Sequence, residues 1–535
     1  MLSVLEESPY GSSISTSVFL ITSDGKTLQL PIPSSSPKDP LNWHPAKRRI
    51  VLGNVFFFAM LAVMQVQSLG VLVPVMAIDY LPQGISILAF TPMASSSLLC
   101  VGLSQFIWIP LSLAIGRRPV FLLANLLLAV GSIYAALSPN FYHHIAAQSM
   151  QSVASGFTFS AASILGLMLI DLTFIHERVI VLSIFWSVGG AISNALIAAV
   201  PKLDSTFHTW RGFYHVLFLL ALFSFIVAFF LCPETYFHRP PLAFDGRVLV
   251  QSTAERVTIY DNWREIGTQK ELPALPITFA ELKVDELKVW GLDIPNRWRR
   301  MGAIYPQILL LLLNPLVFWV MILNALATTG ILAFDLSYGV LLLSPPYSLS
   351  IDKIALIKLA AAAGSLATFP ITGLLNRKIT RRLATRNGGR QSVEHYLPSF
   401  ILPVITGFLA QFLYGLAAQR NLHYGWIFTA YGMMYFSFIS LYTCNSLWAV
   451  EAFPCFAAAS LTVVMGVSYV LPFALSFVIK PWTAKVGQWS MHATLGGIIL
   501  GVGSIGIPIA IFGKEWRGRI LEKYGSMQGG ALRPQ

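Results

Sequence analysis

Long apolar runs separated by short polar connectors make up most of the chain. A bilayer's hydrocarbon core is about 30 Å thick, so a helix needs about 20 apolar residues to cross it. Twelve runs approach or exceed that length, at roughly 50–73, 88–112, 119–137, 145–169, 179–200, 213–231, 306–332, 354–375, 399–418, 425–448, 456–479 and 491–512. A long polar stretch, 232–303, divides them six and six. The pattern predicts an all-α polytopic membrane protein with twelve transmembrane helices in two six-helix bundles. Its expected parts are a tail over 1–49, a first bundle over 50–231, a central loop over 232–303, a second bundle over 304–513 and a tail from 514 to 535. The Ser- and Pro-rich start reads as a disordered tail and not as a signal peptide.

Composition sharpens this reading. Hydrophobic residues make up 55% of the 535 and charged residues only 11%, against about 25% charged in a soluble domain. The mean hydropathy is +0.66. The net charge of +12 would suggest nucleic acid in a soluble protein, but here the cations sit in the connectors. Of 36 Lys and Arg, 29 fall in the two tails, the central loop and the connectors after runs two, four and eight, and six fall on the opposite face. By the positive-inside rule both termini and the central loop are expected in the cytoplasm, and nucleic acid is excluded as a partner. The four cysteines (Cys100, Cys232, Cys444, Cys455) have no metal-ligand spacing and read as packing residues. No GxxxxGK[ST], HExxH or GxSxG stands at a plausible site, so an ATP-driven pump and an enzyme are not expected, and no cofactor is implied.

Several short stretches carry a resemblance. These are DPLNWHPAK (39–47), IPLSLAIGRRP (109–119), IDLTFIHER (170–178), PETYFHRP (233–240), SPPYSLS (344–350), RNGGRQSVEHYLP (386–398) and GKEWR (513–517). In this order they resemble the major facilitator superfamily, and within it the fungal twelve-helix drug/proton antiporter branch. The resemblance implies a carrier in which two bundles rock about a midplane site. It also implies a gating role for the basic turn Arg117–Arg118, where an arginine can pair with a carboxylate or with the negative end of a helix. Asp171 and Glu177 are the candidate carboxylates. Topology anchoring is the plainer reading of the same arginines.

The chain departs from that branch in one direction. Leu113 stands where relatives have an acid or polar residue, Gln148 where they have an arginine, Ser152 where they have glycine, and Asn445 near Tyr442 where an acid is usual; Gln151 is retained. Gly189 and Gly190 remain in run five without its proline. Lys358 lies near one end of run eight and is expected to snorkel outward. Asp335 is expected at the external mouth, and His143, His144 and His492 at the interfaces. A nearly uncharged chamber is thereby predicted.

Polar residues inside spans are the natural substrate contacts. The candidates are Gln65, Gln67, Gln105, Trp108, Asn194, Asn324, Tyr431, Tyr435 and Asn445, with Asn314 and Trp448 beside them. Tyr431 and Tyr435 form an i,i+4 pair, while Gln105 and Trp108 share a face at i,i+3. Such groups also simply join helices to one another. Gly497 and Gly501 form a GxxxG, expected to pack within the fold. The expected function is secondary active or facilitative transport of a small neutral or amphipathic organic molecule by alternating access. Export, the plasma membrane and a monomer are expected, with protons as a further partner under antiport. The alternative is a transport-inactive membrane sensor, suggested by the missing charges.

Overall fold

The computed structural model describes residues 33–34, 36–86, 89–160, 172–173, 175–199, 210–237, 287–289, 297–386, 393–453 and 456–524, together with short strands in the first tail and the central loop. Helices α1 (Pro45–Gln67) and α2 (Leu69–Tyr80) form the first crossing. They are followed by α3 (Phe90–Ile115), α4 (Arg117–Ala136), α5 (Phe141–Phe159), α6 (Ile175–Ala198) and α7 (Arg211–Leu231). The second half holds α8 (Arg297–Leu312), α9 (Pro315–Leu343), α10 (Ile351–Ala355), α11 (Ile357–Thr368), α12 (Leu375–Arg386), α13 (Ile401–Gln419) and α14 (Tyr424–Ala452). It ends with α15 (Ala457–Leu461), α16 (Ser468–Ser504) and α17 (Gly506–Tyr524).

Among the described residues, ten helical stretches are long and apolar enough to cross a membrane. The tenth, Ala457–Ile520, contains two of the predicted runs. Within α16, Gly487 breaks the helix at φ 84 and ψ 163, a conformation that glycine adopts without strain. Predicted run four is carried by α5 and continues into residues outside the described set. The membrane-spanning part is all-α, two bundles of six.

Local signals place the helix starts. Asn140 Oδ1 accepts from His143 N at 3.0 Å ahead of α5. Asn314 Oδ1 accepts from Leu316 N at 3.0 Å, and Pro315 opens α9. This start corrects run seven. The apolar residues from 306 to 312 belong to the separate helix α8, and the span runs instead from Pro315 to Leu343. Asn314 is therefore a helix cap, and Asp335 lies inside a helix rather than at a mouth.

Where helices cross closely, small residues allow it. The backbone of Gly364 on α11 lies directly against Gly432 on α14. The predicted role of Gly497 and Gly501 is not what is observed. A methyl group on either would meet nothing within 4 Å, whereas Gly496 packs on Phe408 and Gln411 and Gly503 packs on Val404. The contact face of this helix is one residue away from the GxxxG.

Short strands join the first tail to the central loop. Strand β1 (Gly11–Ile14) pairs antiparallel with β3 (Val257–Tyr260), which pairs with β2 (Arg247–Gln251). Extended backbone of this kind pairs its N–H and C=O groups across strands.

Candidate functional site: an ion pair at the seam between the two halves

The two halves meet along α1, α2, α3, α5 and α6 of the first and α8, α9, α11, α14 and α16 of the second. Tyr435 Oη donates to Gln67 Oε1 at 2.7 Å, Tyr442 Oη to Phe159 O at 2.5 Å, and Ser187 Oγ to Ser365 O at 2.7 Å. Each bond crosses from one half to the other.

Beside the Gln67 bond lies a buried charge pair. Lys358 Nζ stands 3.3 Å from Asp335 Oδ1 and donates to Tyr431 Oη at 2.5 Å. Tyr431 Oη donates in turn to Asp335 Oδ1 at 2.6 Å. Nζ also lies 5.1, 5.7 and 5.9 Å from the ring centroids of Tyr431, Tyr435 and Tyr338. Two tyrosine rings, the Tyr431 hydroxyl and a carboxylate thus surround one ammonium. From the first half, Gly70 on α2 closes the cage. A methyl group there would stand 2.7 Å from Tyr338 Oη and 3.2 Å from Asp335 Oδ1.

This site corrects three expectations. Lys358 does not snorkel; its side chain has no accessible surface. Asp335 is not at a mouth, and the chamber is not nearly uncharged. A lone buried charge would be costly, but each charge here has the other as its partner. The helix limits contain the signal that would have found the pair. Asp335 stands eight residues before Leu343, where α9 ends, and Lys358 stands seven residues after Ile351, where the next helix begins. Two antiparallel helices joined by a short loop place those positions at the same depth, about 11–12 Å from the turn at 1.5 Å per residue. Tyr338 was also missed.

Of the predicted contacts, the structure brings Gln67, Tyr431 and Tyr435 together at this pair. The others, Gln105 apart, engage partners within their own half. Gln65 accepts from Ser155 Oγ at 2.9 Å. Trp108 Nε1 donates to Val153 O at 2.7 Å. Asn194 Nδ2 donates to Gly190 O at 2.9 Å. Asn324 Nδ2 donates to Ser468 Oγ at 2.8 Å, and Asn445 Nδ2 to Asn324 Oδ1 at 3.1 Å. Trp448 packs edge-on against Trp319. Gln105 is fully buried, and neither of its amide atoms has a hydrogen-bond partner in the structure. Gln148, in the place of the family arginine, donates to Ser97 Oγ at 2.7 Å.

Two histidines are also more enclosed than expected. His492 Nδ1 lies 2.7 Å from Gln411 Oε1 with its ring against Phe334 and Tyr414. His144 is packed among Tyr80, Trp210 and Tyr214. Both are fully buried. His143 stays exposed, with Nδ1 2.7 Å from Tyr134 Oη.

At the basic turn, Gly116 adopts φ 94 and lets α4 begin immediately. The acid at its N-terminus is Glu234 of the PET stretch, which was not among the predicted partners. Its carboxylate accepts from Arg117 N at 3.1 Å and Arg118 N at 3.0 Å, and from its own Thr235 and Tyr236 N–H groups at 3.0 Å each. A carboxylate at a helix N-terminus complements the positive end of the helix dipole. The Arg118 guanidinium donates to Phe229 O at 2.7 Å, near the end of α7, and to Lys288 O at 3.2 Å. Arg117 lies over the Tyr236 ring at 5.6 Å. Asp171 and the side chain of Glu177 lie outside the described residues.

Comparison with known proteins agrees with this architecture. The chain is 21% identical to an uncharacterized MFS-type transporter of Schizosaccharomyces pombe, over 97% of this chain and 93% of that one. It is 23% identical to the efflux pump radE of Floropilus chiversii, over 79% and 72% respectively. The fold is similar to that of the proton:xylose symporter XylE, with a TM-score of 0.58 at 13% identity, covering 88% of this chain and 96% of that one. The model of the Major Facilitator Superfamily matches residues 55–477, and the chain belongs to that superfamily of membrane transporters.

Proposed function

We propose that this protein is a secondary carrier that exports a small amphipathic organic molecule by alternating access, with its substrate site at the Asp335–Lys358 pair. The supporting observation is the position of that pair. Its charges and tyrosines belong to the second half, while Gln67 and Gly70 close it from the first. Rocking the halves apart uncovers a site so placed; a pair buried within one bundle would stay covered throughout the cycle. Likeness to an efflux pump supports export. The distribution of cations supports cytoplasmic termini; the plasma membrane is our reading from the family resemblance alone. The sensor reading drew on an uncharged chamber and loses that ground here.

The test is transport by the purified full-length chain in proteoliposomes, with amphipathic probes of positive, negative and zero charge, with and without a pH gradient. Saturable flux of one probe class, abolished by cross-linking position 67 to position 435, is the expected result. A change of flux with the gradient establishes proton coupling, and flux that ignores it establishes facilitation. Specific binding with no flux of any probe overturns the carrier reading.

A further inference from the structure

We propose that the tyrosine cage is an ammonium site, that the substrate is an amphipathic organic amine, and that Lys358 is its built-in stand-in. This deepens the carrier reading and rests on it for the transport step only.

The first ground is the cage. Lys358 already has an ammonium held by a carboxylate, the Tyr431 hydroxyl and the rings of Tyr338 and Tyr435. Those contacts recognise the head group rather than the lysine stem, and they would hold an exogenous amine equally well.

The second ground is an asymmetry within the pair. The Lys358 side chain has no accessible surface, whereas Asp335 keeps 18% of its own. Both hydrogen bonds to this carboxylate use Oδ1. A ligand entering the seam therefore meets a carboxylate oxygen with capacity to spare. An anion would be repelled there, and a cation is attracted.

The third ground is Tyr338. Its hydroxyl is buried with no hydrogen-bond partner, and it converges with Asp335 on the bare Cα of Gly70. A buried hydroxyl without a partner is costly unless something uses it. An ammonium bound at Asp335 Oδ2 would donate to it. Lys358, on a flexible four-carbon stem, can then withdraw from Oδ1 as the incoming amine takes its place.

The experiment is calorimetric titration of the purified full-length protein with three probes of one body and different charge: 3-phenylpropylamine, 3-phenylpropionate and 3-phenylpropionamide. The amine is expected to bind at least roughly tenfold more tightly than the other two, the difference made by one charge-assisted contact. Asp335→Asn should weaken amine binding roughly ten- to a hundredfold. Lys358→Gln removes the internal competitor and should strengthen it. Tyr338→Phe keeps the ring and the fold, which an unchanged melting temperature verifies, and should weaken the amine roughly fivefold. Undetectable amine binding, equal binding of the amide or the carboxylate, weaker amine binding in Lys358→Gln, or wild-type affinity in a well-folded Tyr338→Phe would each overturn the proposal. Flux of the amide without amine binding removes the amine assignment and leaves the carrier. Amine binding without flux of any probe removes the carrier and leaves the site.

Discussion

Truncating Lys358 to alanine isolates the energetic role of the ion pair. At 3.3 Å, two unit charges attract by about 5 kcal/mol at an effective dielectric of 20. Asp335 is partly accessible, so some of this is recovered by water or by a proton once Lys358 is gone. A net loss of about 3 kcal/mol follows, the lower end of the range for breaking a buried pair by removing one partner. The double variant Lys358→Met/Asp335→Asn should behave differently. It removes both charges, keeps most of the volume, and leaves Tyr431 able to donate to the new amide. Its stability should return to within about 1 kcal/mol of the parent, because two well-packed neutral residues often replace a buried pair without loss. The assay is chemical unfolding of detergent-solubilised protein, followed by tryptophan fluorescence, for the parent, both single variants and the double. A Lys358→Ala variant as stable as the parent, or a double variant less stable than either single, would refute the reasoning.

Tyr435→Phe removes the bond to Gln67 and costs the closed seam about 1 kcal/mol. Spin labels placed across the halves should show the open population rising roughly fivefold; an unchanged distance distribution counts against the seam assignment. Glu234→Ala frees the strap after α7 from the α4 N-terminus. Cys232, just past α7, is buried, and burial pushes its thiol up to about 11. In the parent, maleimide labelling should be slow at neutral pH and rise only as the pH approaches that value, because the thiolate is the reactive form. Release of the strap should accelerate labelling at pH 8 roughly tenfold or more. Gly496→Leu should prevent a monodisperse preparation, whereas Gly497→Leu should be tolerated, as size-exclusion profiles will show.

The architecture was largely legible because lipid leaves the chain few options. A backbone crossing hydrocarbon must satisfy its own hydrogen bonds, so a long apolar run implies a helix and its length implies a crossing. The tyrosines were legible for a similar reason, since an i,i+4 pair necessarily shares a face and Tyr431 and Tyr435 lie with ring centroids 5.1 Å apart. The ion pair is not legible from an apolar run that starts at 306. That start placed Asp335 beyond the membrane, although Asn314–Pro315 is an ordinary helix-opening signal. Lys358 then had no visible partner, and a solitary cation near the end of a run reads as snorkelling. Glu234 escaped notice because its partners are the backbone N–H groups of Arg117 and Arg118, and such a partnership leaves no charge pattern to read.

The placement of the charges bears on how such a carrier could cycle at low cost. Asp335, Lys358 and Tyr431 all belong to the second half, on α9, α11 and α14. When the halves part, the ion pair travels as a unit and no opposite charges are separated across the widening gap. The bonds that must break at the seam are neutral ones, such as Tyr435 to Gln67 and Ser187 to Ser365. Each is worth about 1 kcal/mol net, because water entering the opened side replaces it. If the charges were divided between the halves, every opening would instead separate a pair attracted by several kcal/mol. Moving the acid to the first half tests this directly: in the variant Asp335→Asn/Gln67→Glu, an isosteric carboxylate stands on the first half against Tyr435, whose ring centroid lies 5.7 Å from Lys358 Nζ. With its fold confirmed by an unchanged elution profile, that variant should stay closed in spin-label distances, and one that opens as readily as the parent would show that the location of the charges does not govern the cycle.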